Sequence, residues 1–301
     1  MLKIFRSSLL VTPLIATSCL AALFVAMPGP ARAVVIRADV PDARYLTSAK
    51  AVPALVDLPF EGHGALIAPR WVVTAAHAVT FMQSKPKFAY VTINGKRREV
   101  EEIIIYPDYE ASTVGWKAMF NQIKTGDAGA WKKRYDTAMA SLHDIALLEL
   151  KSPVDDVPAI PFYRGTAEAG QVAEIYGAGA TGTNINGAPD NAPHRGALRR
   201  AENRITSADG PWLRYVFDCG AAALPLEGAI AGGDSGGPVL INESGKWILA
   251  GLSHGLDGSL EDVQHTRAGD FHQGVCGQTF ASTRVSFYTH WIDQTIKGTP
   301  K

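Results

Sequence analysis

The sequence predicts an all-β protein built on antiparallel β-barrels. Short runs rich in Val, Ile, Tyr and Thr, as in Ala89–Ile93 and Val100–Ile105, read as strands. Asn94-Gly95 stands between those two runs, and it is the residue pair that a tight hairpin demands. Further strand-like runs recur at Trp71–Val73, Leu198–Ile205 and Val239–Ile241, the texture of a barrel.

Lys3 and Arg6 open the chain ahead of an apolar run from Leu9 to Met27, which Pro28-Gly29-Pro30 ends and Ala31-Arg32-Ala33 follows. This is the pattern of a secretory signal peptide over residues 1–33. The run is nearly long enough for a membrane anchor, but the helix breakers and the small-residue site favour removal before Val34. A secreted or periplasmic protein is expected, with no membrane association after processing. Cys19 lies inside the run without the leucine of a lipidation site. The 29 basic and 29 acidic residues balance, so there is no electrostatic reason to expect a nucleic-acid partner. Only Cys219 and Cys276 remain after processing, and they are either one disulfide or two buried thiols.

Gly232-Gly233-Asp234-Ser235-Gly236-Gly237-Pro238 is the stretch to which the rest of the chain relates. A serine hydroxyl attacks only when a general base lies within hydrogen-bond reach and a third group orients that base. His77, at the end of the strand-like run Trp71-Val72-Val73, is the candidate base. Asp144, at the mouth of the run Ile145–Leu150, is the candidate orienting carboxylate. The backbone N–H groups of Gly233 and Ser235 are the candidates for binding a developing oxyanion. The same serine also fits the G-x-S-x-G elbow of lipases and esterases, but that elbow leads into a helix, and Gly236-Gly237-Pro238 leads into a strand.

Ala75-Ala76-His77, Asp144-Ile145-Ala146-Leu147-Leu148 and Gly233-Asp234-Ser235-Gly236-Gly237-Pro238 occur in that order. Together they resemble the trypsin/chymotrypsin family of serine endopeptidases, and the resemblance extends over nearly all of the mature chain. It implies two six-stranded antiparallel β-barrels of the chymotrypsin type, over residues 34–162 and 163–301, with a C-terminal helix and the active site in the cleft between them. It also marks residues 111–141 as an insertion, where Trp116, Met119, Phe120 and Ile123, then Trp131, Tyr135 and Met139, recur at helical spacing. Thr181–Gly196 reads as an exposed loop, and Val34–Lys50 as a polar arm.

The resemblance assigns further residues. Ser253 matches a serine that hydrogen-bonds the orienting carboxylate. Asp234 matches an aspartate that pairs with a freed N-terminal ammonium, yet no I-V-G-G sequence occurs here; the Val34 amine, Arg37 or no cation at all are the alternatives. Ala229, six positions before Ser235, matches the base of the primary pocket, with Ile230, His254, Gly255 and Phe280 around it. An aspartate at that base would select Lys or Arg, so a small or medium apolar residue is expected instead, unless Asp257, Glu261 or Asp262 reaches in. His63, His143, His194, His265, His272 and His290 lie in no metal-binding motif, and no metal or other cofactor is expected. The expectation is a secreted serine endopeptidase acting on protein or peptide substrates. The alternatives are a latent or inactive protease-fold binding protein, and an ester hydrolase using the same triad.

Overall fold

The computed structural model describes residues 34–109, 128–189, 195–258 and 272–298. The leader with Cys19, the first half of the insertion with Trp116, Met119, Phe120 and Ile123, the Trp131 side chain, His194, Glu261, Asp262 and His265 lie outside these residues. The described chain begins as β1 (Val34–Ile36). It then builds a closed barrel from β2 (Leu55–Asp57), β3 (His63–Ala68), β4 (Trp71–Thr74), β5 (Tyr90–Ile93), β6 (Lys96–Ile105) and β7 (Ala146–Leu150), in the spatial order β2-β3-β4-β7-β6-β5. The Asn94-Gly95 turn joins β5 to β6 with φ of 51° and 71°, the pair of positive values that a type I′ hairpin requires.

The second half contributes β8 (Val172–Gly177), β9 (Thr181–Thr183), β10 (Ala188–Pro189), β11 (Arg199–Asp209), β12 (Trp212–Val216), β13 (Gly228–Ala229), β14 (Pro238–Glu243), β15 (Lys246–Leu256), β16 (His272–Gln273) and β17 (Thr279–Arg284). Six of these close a second barrel, β11-β12-β17-β15-β14-β8. Each pairing within either barrel is antiparallel. Closure removes the free sheet edges that an open sheet of this size would expose. The helix Thr289–Gly298 ends the described chain.

Each barrel has its own core, and a third apolar cluster joins them. That cluster brings Ile145 and Leu147 of the first half against Leu240, Leu249 and Leu252 of the second, with Ile292 of the closing helix. The insertion forms the helix Ala128–Ser141. Its Tyr135 and Met139, 4 % and 1 % exposed, pack into the core of the first barrel, and the Met139 carbonyl accepts from Nε1 of Trp212 on β12 at 2.6 Å.

Two segments differ from the sequence-based expectation. The start of the polar arm is a buried strand: β1 pairs antiparallel with β13 and parallel with β9, and Val34 and Val35 are fully buried in the core of the second half. Three apolar residues are too short a run to show a period. The Thr181–Gly196 loop contains β9 and β10. Its Thr-Gly-Thr has no apolar pattern, and it is a strand because β1 pairs with it.

Glu168, fully buried, receives Nε and Nη2 of Arg284 at 2.9 and 2.8 Å and the Ser286 hydroxyl at 2.5 Å. Burial pushes its pKa up, but these hydrogen bonds outweigh burial and hold it below the usual value. Its stabilisation is therefore present above the unfolded pKa and lost as pH falls through the folded one. Removing one partner leaves an uncompensated buried charge, so Arg284→Ala is expected to cost about 3–5 kcal/mol in urea unfolding. The double change Arg284→Met with Glu168→Leu should cost less than the single one; an equal or larger loss would show that packing, not the pair, matters at this point.

Candidate active site

The two barrels present His77, Asp144 and Ser235 to one another across their interface. His77 leaves β4 in a 3-10 turn, Ala76–Ala78, whose alanines are buried. Its backbone N–H donates to Oδ1 of Asp144 at 2.9 Å, and its Nδ1 lies 2.7 Å from Oδ2. Asp144, just ahead of β7, has no exposed surface, and its carbonyl is held by the Thr283 hydroxyl of β17 at 2.8 Å. Nε2 of His77 is 2.7 Å from Oγ of Ser235. The carboxylate only accepts, so Nδ1 carries the proton and Nε2 accepts from the serine.

The turn carrying Ser235 links β13 to β14 and is pinned on both sides. Gly62 and His63 of the first barrel donate to the carbonyls of Gly233 and Ser235 at 3.0 and 2.7 Å, while Gly236 donates to the Ser253 carbonyl of β15 at 2.7 Å. Gly233 has φ of 89°, which glycine alone adopts without strain. Among the described residues, the N–H groups of Gly233 and Ser235 have no acceptor within the protein. They are two backbone donors held beside a hydroxyl.

Asp234, fully buried, turns away from Ser235. Gly179 and Ala231 donate their N–H groups to its two oxygens at 2.8 and 2.9 Å, and the Val34 backbone N–H donates as well. Gly177 is required there, because a Cβ would sit 2.0 Å from Oδ1 of Asp234. Burial raises the carboxyl pKa against the pull of these donors and of His63. Arg37 is engaged elsewhere, on Asp39 at 2.6 Å and the Leu224 carbonyl at 2.8 Å.

Ser253 does not do what its sequence position implies. Its hydroxyl is buried without a partner. The next residue replaces it: Nδ1 of His254 lies 2.6 Å from Oδ2 of Asp144. The expectation that His254 forms a pocket wall missed this contact, for which the sequence carries no signal beyond a histidine beside Ser253. His77, Asp144 and His254 are the group of three potential metal donors among the described residues. Their N···O separations of 2.6 and 2.7 Å are hydrogen bonds, shorter than the roughly 3.3 Å between two ligands of one tetrahedral ion.

Of the expected pocket residues, Ala229, Ile230 and Phe280 are buried at 0 %, 1 % and 0 % exposure. Phe280 stacks on Tyr215 with centroids 5.5 Å apart and planes at 15°, and both rings belong to the same buried cluster as Ala229 and Ile230. Gly255 is partly exposed with nothing within 4 Å of a would-be Cβ. Asp257 is committed to Arg214 at 2.5 Å. Cys219 and Cys276 form a disulfide, and Nδ2 of Asn184 donates to both sulfurs at 3.2 and 3.3 Å.

The Trypsin family model matches residues 45–263. The chain is similar to Serine protease 28 of Mus musculus, 27% identical over 209 residues that span 64% of this chain and 68% of the relative. It is also similar to Serine protease 56 of Mus musculus, 25% identical over 269 residues, which are 81% of this chain but 35% of that protein. The chain thus spans about a third of the length of the second relative.

His77 is a third exposed. Burial lowers its pKa, but the charge and hydrogen bond of Asp144, with the charge of Glu61, raise it above 6.5 overall. A raised folded value stabilises the fold below the unfolded pKa, and that contribution disappears as pH rises through the folded one. An NMR titration of the imidazole should find the midpoint of His77 above 6.5, and Asp144→Asn should lower it, since burial is then opposed only by the charge of Glu61. A midpoint unmoved by that substitution would contradict the pairing.

Proposed function

The chain belongs to the trypsin family, and from that premise we propose that it is a serine endopeptidase that cleaves peptide bonds through an acyl-enzyme. The observation that carries this reading is the unbroken series from Ser235 Oγ to His77 Nε2 and from His77 Nδ1 to Asp144 Oδ2, each step 2.7 Å, beside two uncommitted N–H groups. Ser235 attacks the scissile carbonyl as His77 takes its proton. The carbonyl electron pair becomes an oxyanion that the N–H groups of Gly233 and Ser235 receive. On collapse, His77 returns the proton to the leaving amine. Water then repeats the sequence and releases Ser235. Asp144 keeps the imidazole in its Nδ1–H tautomer and stabilises the cation.

The substrate residue on the acyl side is read as small or medium and apolar. Ala229 offers no carboxylate, and with Ile230 it shares an apolar buried cluster with Tyr215 and Phe280, which supports this. Residues 1–33 are read as a leader removed before Val34, with the protein acting outside the cytoplasm. Two features of Val34 support that site. Its φ of 62° is strained for a β-branched residue, and freeing its nitrogen relieves the constraint. The ammonium so formed would stand at Asp234, where the Val34 N–H already donates, and would supply the charge that Arg37 does not.

Labelling of the chain beginning at Val34 with a fluorophosphonate should be strong, lost in Ser235→Ala and His77→Ala, and weak in a chain extended before Val34. Asp144→Asn should lower kcat by about 10⁴, the magnitude typical of this kind of triad. Activity should rise with pH through a midpoint above 6.5, because the base must be neutral and its pKa is raised. An unlabelled but folded wild type would favour the latent binding protein instead. In a peptide library, cleavage should be fastest after small or medium apolar residues; fastest cleavage after Lys or Arg would sink the reading of the pocket.

A further inference from the structure

Two imidazoles share one oxygen of Asp144, and the reaction above uses only one of them. His254 sits where the pairing of β15 with β17 slips, between Ser253 opposite Ser282 and Gly255 opposite Ala281. Such a bulge takes a residue off the ladder and re-aims its side chain. Here it aims the ring inward, so that Nδ1 lies as close to Oδ2 of Asp144, at 2.6 Å, as Nδ1 of His77 does at 2.7 Å. A carboxylate oxygen only accepts, so both Nδ1 atoms carry protons. Trp212 packs against His254 with centroids 4.7 Å apart, and its own N–H is fixed on the Met139 carbonyl. The His254 side chain is only 18% exposed. The ring is wedged between an ion and an indole, while the adjacent Ser253 hydroxyl contacts no partner.

We propose that His254 is a positioning residue of the triad: its Nδ1–H fixes Oδ2 of Asp144 and draws off part of the negative charge that His77 would otherwise meet alone. The consequence for rate rests on the endopeptidase reading; the consequence for His77 does not. With both rings on Oδ2 and the His77 backbone N–H on Oδ1, the carboxylate has no freedom to rotate. Without His254 the full charge of Asp144 faces His77, and the imidazole becomes a stronger base that is less often neutral. The other titratable groups around the pair are Glu61, whose charge also raises His77, and the phenols of Tyr109 and Tyr288, pushed up by burial and therefore neutral.

The test compares His254→Phe, which keeps a ring against Trp212 without the donor, with His254→Asn, whose amide N–H replaces Nδ1–H. In the Phe variant, kcat and the rate of fluorophosphonate labelling should fall ten- to a hundredfold, the range expected for one hydrogen bond to a charged group. KM should stay within about twofold, and the NMR titration midpoint of His77 should move up. The Asn variant should recover most of both. An unchanged rate and midpoint would overturn the proposal, and so would a lower midpoint, the sign of a merely loosened pair. Nitrogen-15 spectra of the wild type give a reading that needs no variant to fold: a proton on Nδ1 of His254 supports the role, and a proton on Nε2 alone defeats it. If the wild type is not labelled but the Phe variant still raises the His77 midpoint, the endopeptidase reading fails and the positioning role stands.

Discussion

The site depends on a carboxylate with no access to water. An ion buried without partners is costly enough to neutralise itself, so Asp144 remains an anion only because donors surround it. Burial alone would raise its pKa; the charge of His77, the hydrogen bond from His254 and the hydrogen bond from His77 bring it well below the usual carboxylate range. Those donors do not come from one element. His77 follows β4 in the first barrel, His254 lies on β15 in the second, and Thr283 of β17 holds the carbonyl of the same aspartate. Satisfying one ion therefore requires both barrels to be closed and correctly seated.

That His77, Asp144 and Ser235 come together was legible because the chemistry proposed for them constrains their residue types. A serine between glycines, a histidine at the end of a strand and an aspartate at the mouth of another leave little latitude in composition. Strands in the barrels were visible for a related reason: Tyr90–Ile93 and Arg199–Ile205 each have one buried and one less buried face, which writes a period of two into the sequence. The hairpin between β5 and β6 was legible because only a few residue pairs tolerate two positive φ values.

What escaped were features made by contacts between distant segments. Ser253 and His254 are adjacent, and nothing in their order says which of them faces Asp144. The bulge that decides it is a property of how β15 meets β17, not of either strand alone. Likewise β9 has no hydrophobic pattern, and Gly182 is needed because β9 approaches Gly187 so closely that a Cβ would lie 1.8 Å from its carbonyl oxygen. The insertion helix shows both cases in one element: Tyr135 and Met139 recur at helical spacing, whereas the bond from Trp212 to the Met139 carbonyl joins the helix to the second barrel through a backbone atom that every residue possesses.

The placement of β1 has a consequence for the order in which the molecule is assembled. Its partners are residues 181–183 and 228–229, so β1 cannot dock until those much later segments have been made. Contacts between such distant segments close slowly, since the entropy of a long loop is spent before the pairing rewards it. The docking of β1 is thus tied to the covering of Asp234, whose carboxylate accepts from the Val34 N–H, and a growing chain that has not reached Gly228 lacks that contact. Topology alone makes the burial of Asp234 depend on the pairing of these distant segments.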